Sequence, residues 1–237
     1  MPNIVIIGSG PAGVSAALYA VRAGVDTTIL TKGPGALDRA EKIENYYGFA
    51  EPISGAELER RSIENAKRLG VNVITAEAVG LTYTDKLTVE TVGADYPADA
   101  VILATGASRA VPRIPGLAGL EGHGVSFCAA CDAFFYRGKD VAVLGSGEYA
   151  LHEVQALLPV AGSGVFVALG VAGSTALARK IGAAVDGNRI VVDAAMQTTV
   201  PGLYAAGDCT GGLLQVAKAV YEGALAGTEA ARALRKG

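Results

Sequence analysis

Two cysteines separated by two residues, Cys128 and Cys131, sit in the run FCAACDAFF near the middle of a 237-residue chain, and Asp132 stands directly behind the second. Thiols at that spacing can close a short disulfide, and the thiolate released on reduction is a nucleophile toward another disulfide. A structural metal site would normally need a second such pair, or histidines at matching spacing. The chain offers only His123 in the loop EGHGVS, His152 in a helical pattern, and Cys209 standing by itself. Redox chemistry is therefore the expected role of the pair, and no metal site is expected. Asp132 is placed to supply or remove a proton at that step.

A second chemical signal opens the chain. GSGPAG, residues 8–13, satisfies the Gly-x-Gly-x-x-Gly pattern behind a predicted strand at 4–7 and ahead of a predicted helix. In that pattern Gly8 makes the tight turn, Gly10 admits a pyrophosphate, and Gly13 lets the helix approach the strand. About 20 residues further the pattern calls for an acid to hold a ribose. Here TTILTK ends on Thr31 and Lys32 instead, so the motif leaves FAD and NAD both open. LYAAGD, residues 203–208, favours FAD. Asp208 can hydrogen-bond a sugar-like chain, and a helix N-terminus beside it can stabilise negative charge on a reduced flavin.

These groups need a scaffold, and the sequence supplies one. Apolar runs ending in glycine recur at 4–10, 101–108, 141–147, 165–170 and 203–208, rich in Val, Ile and Ala. Such runs fit parallel strands buried on both faces. Helical patterns lie between them. SAALYAVRAG starts behind Pro11 and stops at Gly24, EYALHEVQALL stops at Pro159, and LLQVAKAVYEGALAGTEAARALRKG closes the chain with basic residues at its negative end. The alternation predicts an α/β fold with a mostly parallel sheet.

The chain also repeats itself. IVIIGSGPAGVSAA and VAVLGSGEYALHE each read as strand, glycine turn and helix. From Gly8 to the closing Gly106 is 98 residues, whereas from Gly145 to Gly170 is only 25, so the second copy is shorter by 73. What is left of it is a strand, a helix and a strand, the minimum crossover. The place where an acid or arginine should read a ribose falls in VFVALG, which carries no charge, so NADPH is expected to bind weakly or not at all.

Composition narrows the class. With 51% hydrophobic and 18% charged residues the chain is globular, and a net charge of -3 argues against a nucleic-acid partner. No apolar run approaches the roughly 20 residues of a membrane span, and the N-terminus lacks a basic leader, so the expected compartment is the cytoplasm.

At FCAACDAFFYRGKDVAVLGSG, residues 127–147, these features combine. With GSGPAG, IENYYGF (43–49), DAVILATGAS (99–108), QTTVPGLYAAGD (197–208) and the final helix, the chain resembles the low-molecular-weight thioredoxin reductase family of flavoproteins. The resemblance implies a three-layer, FAD/NAD(P)-binding Rossmann-like fold. It divides the chain into a discontinuous FAD domain, 1–111 plus 174–237, around a reduced pyridine-nucleotide-type domain, 112–173, that carries the disulfide. Carried over by position, Gly8, Gly10, Pro11, Ala12, Gly13, Asn45, Thr105, Gly106, Gly207, Asp208 and Gln215 would contact FAD. Cys128 and Cys131 would form the redox disulfide, with Asp132 as its acid/base.

The chain departs from the family at three places. Gly35, Ala36 and Leu37 stand where Gly-Gly-Gln-Leu is common, Leu214 replaces the usual Arg before Gln215, and the strand ending in a His-Arg-Arg cluster for the NADPH phosphate is missing. GALDRAEKIENYYGF is also similar to a clostridial-type branch that takes electrons from ferredoxin. The resemblance thus implies a thioredoxin-like disulfide partner, ferredoxin as a possible donor, and a homodimer. Other readings stay open: an NADPH-independent or ferredoxin-dependent reductase, a dithiol oxidase, a non-enzymatic flavin-binding redox sensor, or a deliberately shortened chain. The free outer edge of the VAVLG strand is expected to be covered by another chain or left as a pairing liability.

Overall fold

In a computed structural model, residues 1–106, 114, 116, 120, 124–126, 136–145, 148–158, 163–168 and 175–236 are described. Five parallel strands make the main sheet. They are β1 (Asn3–Ile7), β2 (Asp26–Thr31), β3 (Asn72–Thr75), β7 (Ala100–Leu103) and β13 (Leu203–Ala205), in the order β13-β7-β1-β2-β3. The last strand comes from the far end of the chain, pairing Leu203 with Val101 and Ala205 with Leu103. Ile4, Ile6, Ile102, Leu103 and Leu203 are wholly buried, as expected for a sheet covered on both faces.

On one face lie α1 (Pro11–Arg22) and the closing helix, called α5 below (Val216–Lys236). They cross closely because the crossing residues are small. A Cβ on Gly223 would fall 2.1 Å from the carbonyl oxygen of Ala12, and one on Gly227 would fall 2.2 Å from that of Ala16. Ser15 fixes the crossing by donating to the carbonyl of Val220 at 2.8 Å. Pro11 occupies the first turn of α1, and Gly24 follows its end at φ 78°, both as the sequence predicts. α2 (Gly55–Arg68) starts at Ser54, whose hydroxyl accepts from the Glu57 amide at 3.2 Å and so caps the helix.

The other face is covered by an antiparallel meander, β4 (Ala78–Tyr83), β5 (Leu87–Thr91) and β6 (Asp95–Ala98), and by the short helix α4 (Ala176–Lys180). The hairpin β11 (Val185–Asp186) and β12 (Arg189–Ile190) leads toward β13.

The second glycine unit contains β9 (Asp140–Gly145), α3 (Glu148–Leu157) and β10 (Ser163–Ala168), with β9 and β10 parallel. Two expectations are corrected here. A further short strand, β8 (Val125–Ser126), pairs with β10, giving three strands in the order β8-β10-β9. β9 is also not buried on both faces: Ala142, Leu144 and Gly145 are exposed, because only β10 flanks it among the described residues. The closing helix begins at Val216, so Leu213, Leu214 and Gln215 precede it. Among the described residues no helix is long and apolar enough to cross a membrane.

Candidate functional site

The carboxyl ends of parallel strands are where an open α/β sheet accepts a ligand, and the glycine turns gather there. Gly8 follows β1 at φ 114°, and a Cβ on it would lie 2.3 Å from the carbonyl oxygen of Ala104, the residue after β7. Gly13 is closer still, with a Cβ position 1.9 Å from the Gly8 carbonyl oxygen. Gly10 differs from both, since nothing lies within 4 Å of the Cβ it lacks. Two glycines therefore lock the turn, and the third leaves space in front of it. α1 begins at that space with no side-chain cap and no acid in its first turn, so its positive end is offered to an anion. These residues fit a dinucleotide pyrophosphate.

Gly207 and Asp208 follow β13, and Gly106 ends the turn after β7 at φ 72°. Gly207 adopts φ 85° and brings the turn against Ala12, whose Cβ would be 2.8 Å from a Cβ at Gly207. Cys209 ties these turns together. Its side chain is fully buried, its Sγ lies 3.3 Å from the carbonyl oxygens of Leu103 and Ala206, and Thr105 hydrogen-bonds to it. Burial pushes its thiol up to about 11, so it stays protonated at neutral pH and is inert as a nucleophile.

An internal ion pair holds the Asp208 turn against the closing helix. Lys218 and Glu222 meet at 2.9 Å, both largely buried. Lys218 Nζ donates to the carbonyls of Gly207 at 2.8 Å and Gly211 at 2.6 Å, while Glu222 accepts from the Gly207 amide at 2.9 Å. Asp208 itself is partly buried. Desolvation raises its pKa, Lys218 pulls it back, and Glu222 pushes it the same way as burial. Sequence reading missed this pair, although its four-residue spacing on one helix was a visible signal.

Asn45 and Gln215 are brought together from 170 residues apart, Asn45 Nδ2 donating to Gln215 Oε1 at 3.0 Å. The loop closed by the β-bridge Ile43↔Ile53 and the residue before the closing helix thus share one end of the site. Gly8 and Gly10 lie in the turn after β1, Pro11, Ala12 and Gly13 in the first turn of α1, Thr105 and Gly106 in the turn after β7, Gly207 and Asp208 after β13, and Asn45 and Gln215 in loops. Cys128, Cys131 and Asp132 lie outside the described residues, as do the ends of the second glycine turn, Ser146 and Gly147, and His123. Among the described residues no cluster of His, Cys, Asp or Glu could hold a metal ion.

A family model described as pyridine nucleotide-disulphide oxidoreductase matches residues 2–161 and 150–223. Over 155 residues the chain is 44% identical to a bifunctional thioredoxin reductase/thioredoxin of Mycobacterium leprae, a match covering 64% of this chain and 34% of that protein. It is 40% identical over 157 residues to a thioredoxin reductase of Streptomyces coelicolor, covering 64% and 48%. The chain thus spans about half or less of the length of these curated relatives. Among solved structures, the atypical thioredoxin reductase TRi from Desulfovibrio vulgaris Hildenborough superposes with a TM-score of 0.93 at 34% identity, covering 100% of this chain and 99% of that one. A ferredoxin-flavin thioredoxin reductase from Clostridium acetobutylicum superposes with a TM-score of 0.76 at 29% identity, covering 99% and 98%.

Proposed function

The chain belongs to the pyridine nucleotide-disulphide oxidoreductase family, on its thioredoxin reductase branch, and from that premise we propose that it is an FAD-dependent reductase of a thioredoxin-like protein disulfide. The observation that carries this reading is the convergence of three glycine turns, each following a parallel strand, on one end of the main sheet. In this reading the FAD domain is 1–111 plus 174–237 and the insert 112–173 carries the disulfide. Gly8, Gly10, Pro11, Ala12 and Gly13 bind the pyrophosphate, with Thr105, Gly106 and Gly207 lining the approach. Asp208 holds the sugar-like chain, and Asn45 and Gln215, already bonded to each other, face the ring.

FAD, when bound, supplies a two-electron relay between a donor and a disulfide. The chain's own part is the sulfur chemistry. The Cys128–Cys131 disulfide takes up two electrons and two protons and opens to a dithiol. One thiolate attacks the partner's disulfide and forms a mixed disulfide, releasing one partner thiol. The second cysteine then attacks that bond, so the partner leaves with two thiols and the Cys128–Cys131 disulfide is restored. Asp132 moves the proton at the cysteine next to it. The cytoplasm and a homodimeric state belong to the same proposal.

The donor is proposed to be other than NADPH. Among the described residues the second glycine unit holds a small sheet with an exposed edge strand, and VFVALG offers no charge to a nucleotide ribose or phosphate. The likeness to a ferredoxin-flavin enzyme supports ferredoxin as the alternative. In an anaerobic titration followed by flavin absorbance, reduced ferredoxin is expected to bleach the flavin and NADPH is not. Serine at Cys128 or Cys131 is expected to abolish partner reduction while FAD stays bound. Activity surviving in both variants would show that the chemistry lies elsewhere.

A further inference from the structure

β2 ends without the acid that a dinucleotide-binding turn uses for its ribose, since Thr31 and Lys32 stand there. A carboxylate nevertheless reaches the end of β2, from a different element. Glu59, on α2, is buried to 7% exposure, and burial raises its pKa while hydrogen bonds from Ser9 and the Gly35 backbone hold it down. It is held by a chain of hydroxyls. The Gly33 amide donates to Thr31 Oγ1 at 3.2 Å, Thr31 Oγ1 lies 2.8 Å from Ser9 Oγ, and Ser9 Oγ donates to Glu59 Oε1 at 3.3 Å. The Gly35 amide also donates to the carboxylate. Ser9 is the residue between the two glycines of the turn, and with Gly10 and Glu59 it lines a cavity of about 120 Å³.

A buried carboxyl group beside the place for a pyrophosphate is costly to keep ionised, because burying a charge is expensive and a like-charged ligand makes it worse. The cost falls if the ligand brings neutral donors to that spot. Ribose hydroxyls are such donors, and they sit next to the pyrophosphate in any adenine dinucleotide. Resting on the flavin reading above, we propose that Glu59 is this chain's ribose-reading carboxylate, delivered from α2 to the end of β2, and that it selects for the 2′-hydroxyl of the adenosine half of FAD. The position explains why a chain lacking the acid on β2 can keep the glycine turn in working form.

The test uses the flavin-free full chain and two ligands, FAD and its analogue with 2′-deoxyadenosine, with binding read by quenching of flavin fluorescence. A hydrogen bond to a charged acceptor gives the native chain a preference for FAD of about 10- to 100-fold. E59L is expected to bind both ligands equally, and E59Q, neutral and nearly isosteric, to keep a preference of only a few-fold. E59Q also covers the case in which E59L fails to fold. A native chain indifferent to the 2′-hydroxyl, an E59Q or E59L variant with undiminished preference, or a loss of affinity equal for both ligands would overturn the inference. The last result would mark Glu59 as a brace for the Gly35 loop alone. A native chain that binds neither ligand would instead remove the flavin reading itself.

Discussion

The chain writes nearly the same sentence twice, IVIIGSG and VAVLGSG, and the two copies end in different physical states. Ile7 in β1 is 6% exposed, whereas Leu144 at the matching position of β9 is 42% exposed. The strands have similar composition, so composition is not the cause. β1 is flanked by β2 and β7, and Ile7 packs under the meander β4, β5 and β6 and under α4, while among the described residues β9 pairs with β10 only. A glycine turn becomes a rigid cradle when the strands beside it and the helices above it leave no alternative. The second unit has 73 fewer residues between its glycine turn and its closing glycine, and among the described residues β9 stands at the edge of its sheet. The rigidity of the turn in this fold therefore resides in what surrounds the motif.

The sharpest break of the comparison is at the cradle's glycines. Gly13→Ala places a Cβ 1.9 Å from the Gly8 carbonyl oxygen, a backbone atom that cannot step aside. The expected loss is about 3 kcal/mol or more of stability, together with loss of the flavin, read by thermal melting and by absorbance of the purified protein. Gly10→Ala meets nothing within 4 Å and its φ of -69° suits any residue. It is expected to leave stability within about 0.5 kcal/mol and to weaken only the cofactor. Equal melting losses in the two variants would show that the turn is not locked in the way described.

Matched truncations in the two strands measure what the neighbours contribute. Ile7→Ala is expected to cost about 2–4 kcal/mol, because the site is enclosed and cannot collapse fully. Leu144→Ala is expected to cost less than about 1 kcal/mol, because water already reaches that side chain. Urea midpoints for the two variants give the ratio directly. A Leu144→Ala loss as large as that of Ile7→Ala would mean that β9 is covered in solution by a second copy or another protein, the fate that an unpaired strand edge invites.

The sequence revealed β1, β7, β9, β10 and β13 because their signals are local, and it left β3 and the meander β4, β5 and β6 unread. Apolar runs closed by glycine mark β1, β7 and β13, and Pro11 and Gly24 bracket α1. Exposure of β9 was not legible, since a strand's burial depends on partners that its own residues do not name. The Asn45–Gln215 bond joins residues 170 apart, and only the resemblance placed both at the flavin. Glu59 left a fainter trace. It falls four residues after Gly55 and seven before Ala66, on the inward stripe of α2, where a carboxylate breaks the apolar pattern. A charge on the buried face of an amphipathic helix is a reason to look for what it holds. The Gly223 and Gly227 crossing carries the same lesson, because small residues four apart signal a close neighbour without saying which one.

The smallest expected effect concerns Cys209, which has no counterpart in the second unit. In the folded chain its thiol is pushed up to about 11, from an ordinary 9.0, by burial between β7 and the turn after β13. The unfolded chain releases this proton near pH 9, while the folded chain keeps it until about pH 11. Between those values the unfolded state binds fewer protons, so stability falls as pH rises, and below pH 9 the contribution is fully present. The shift corresponds to about 2–3 kcal/mol across that window. Cys209→Ala removes the titration but leaves other groups unchanged. The gap in urea stability between the native chain and the variant should therefore be widest at pH 8 and narrow steadily toward pH 11. A gap that stays constant would mean the thiol already meets solvent, and that the turns after β7 and β13 are not joined through a dry sulfur. In that event the contrast between a sealed first unit and an open second one would have to be redrawn at the site itself.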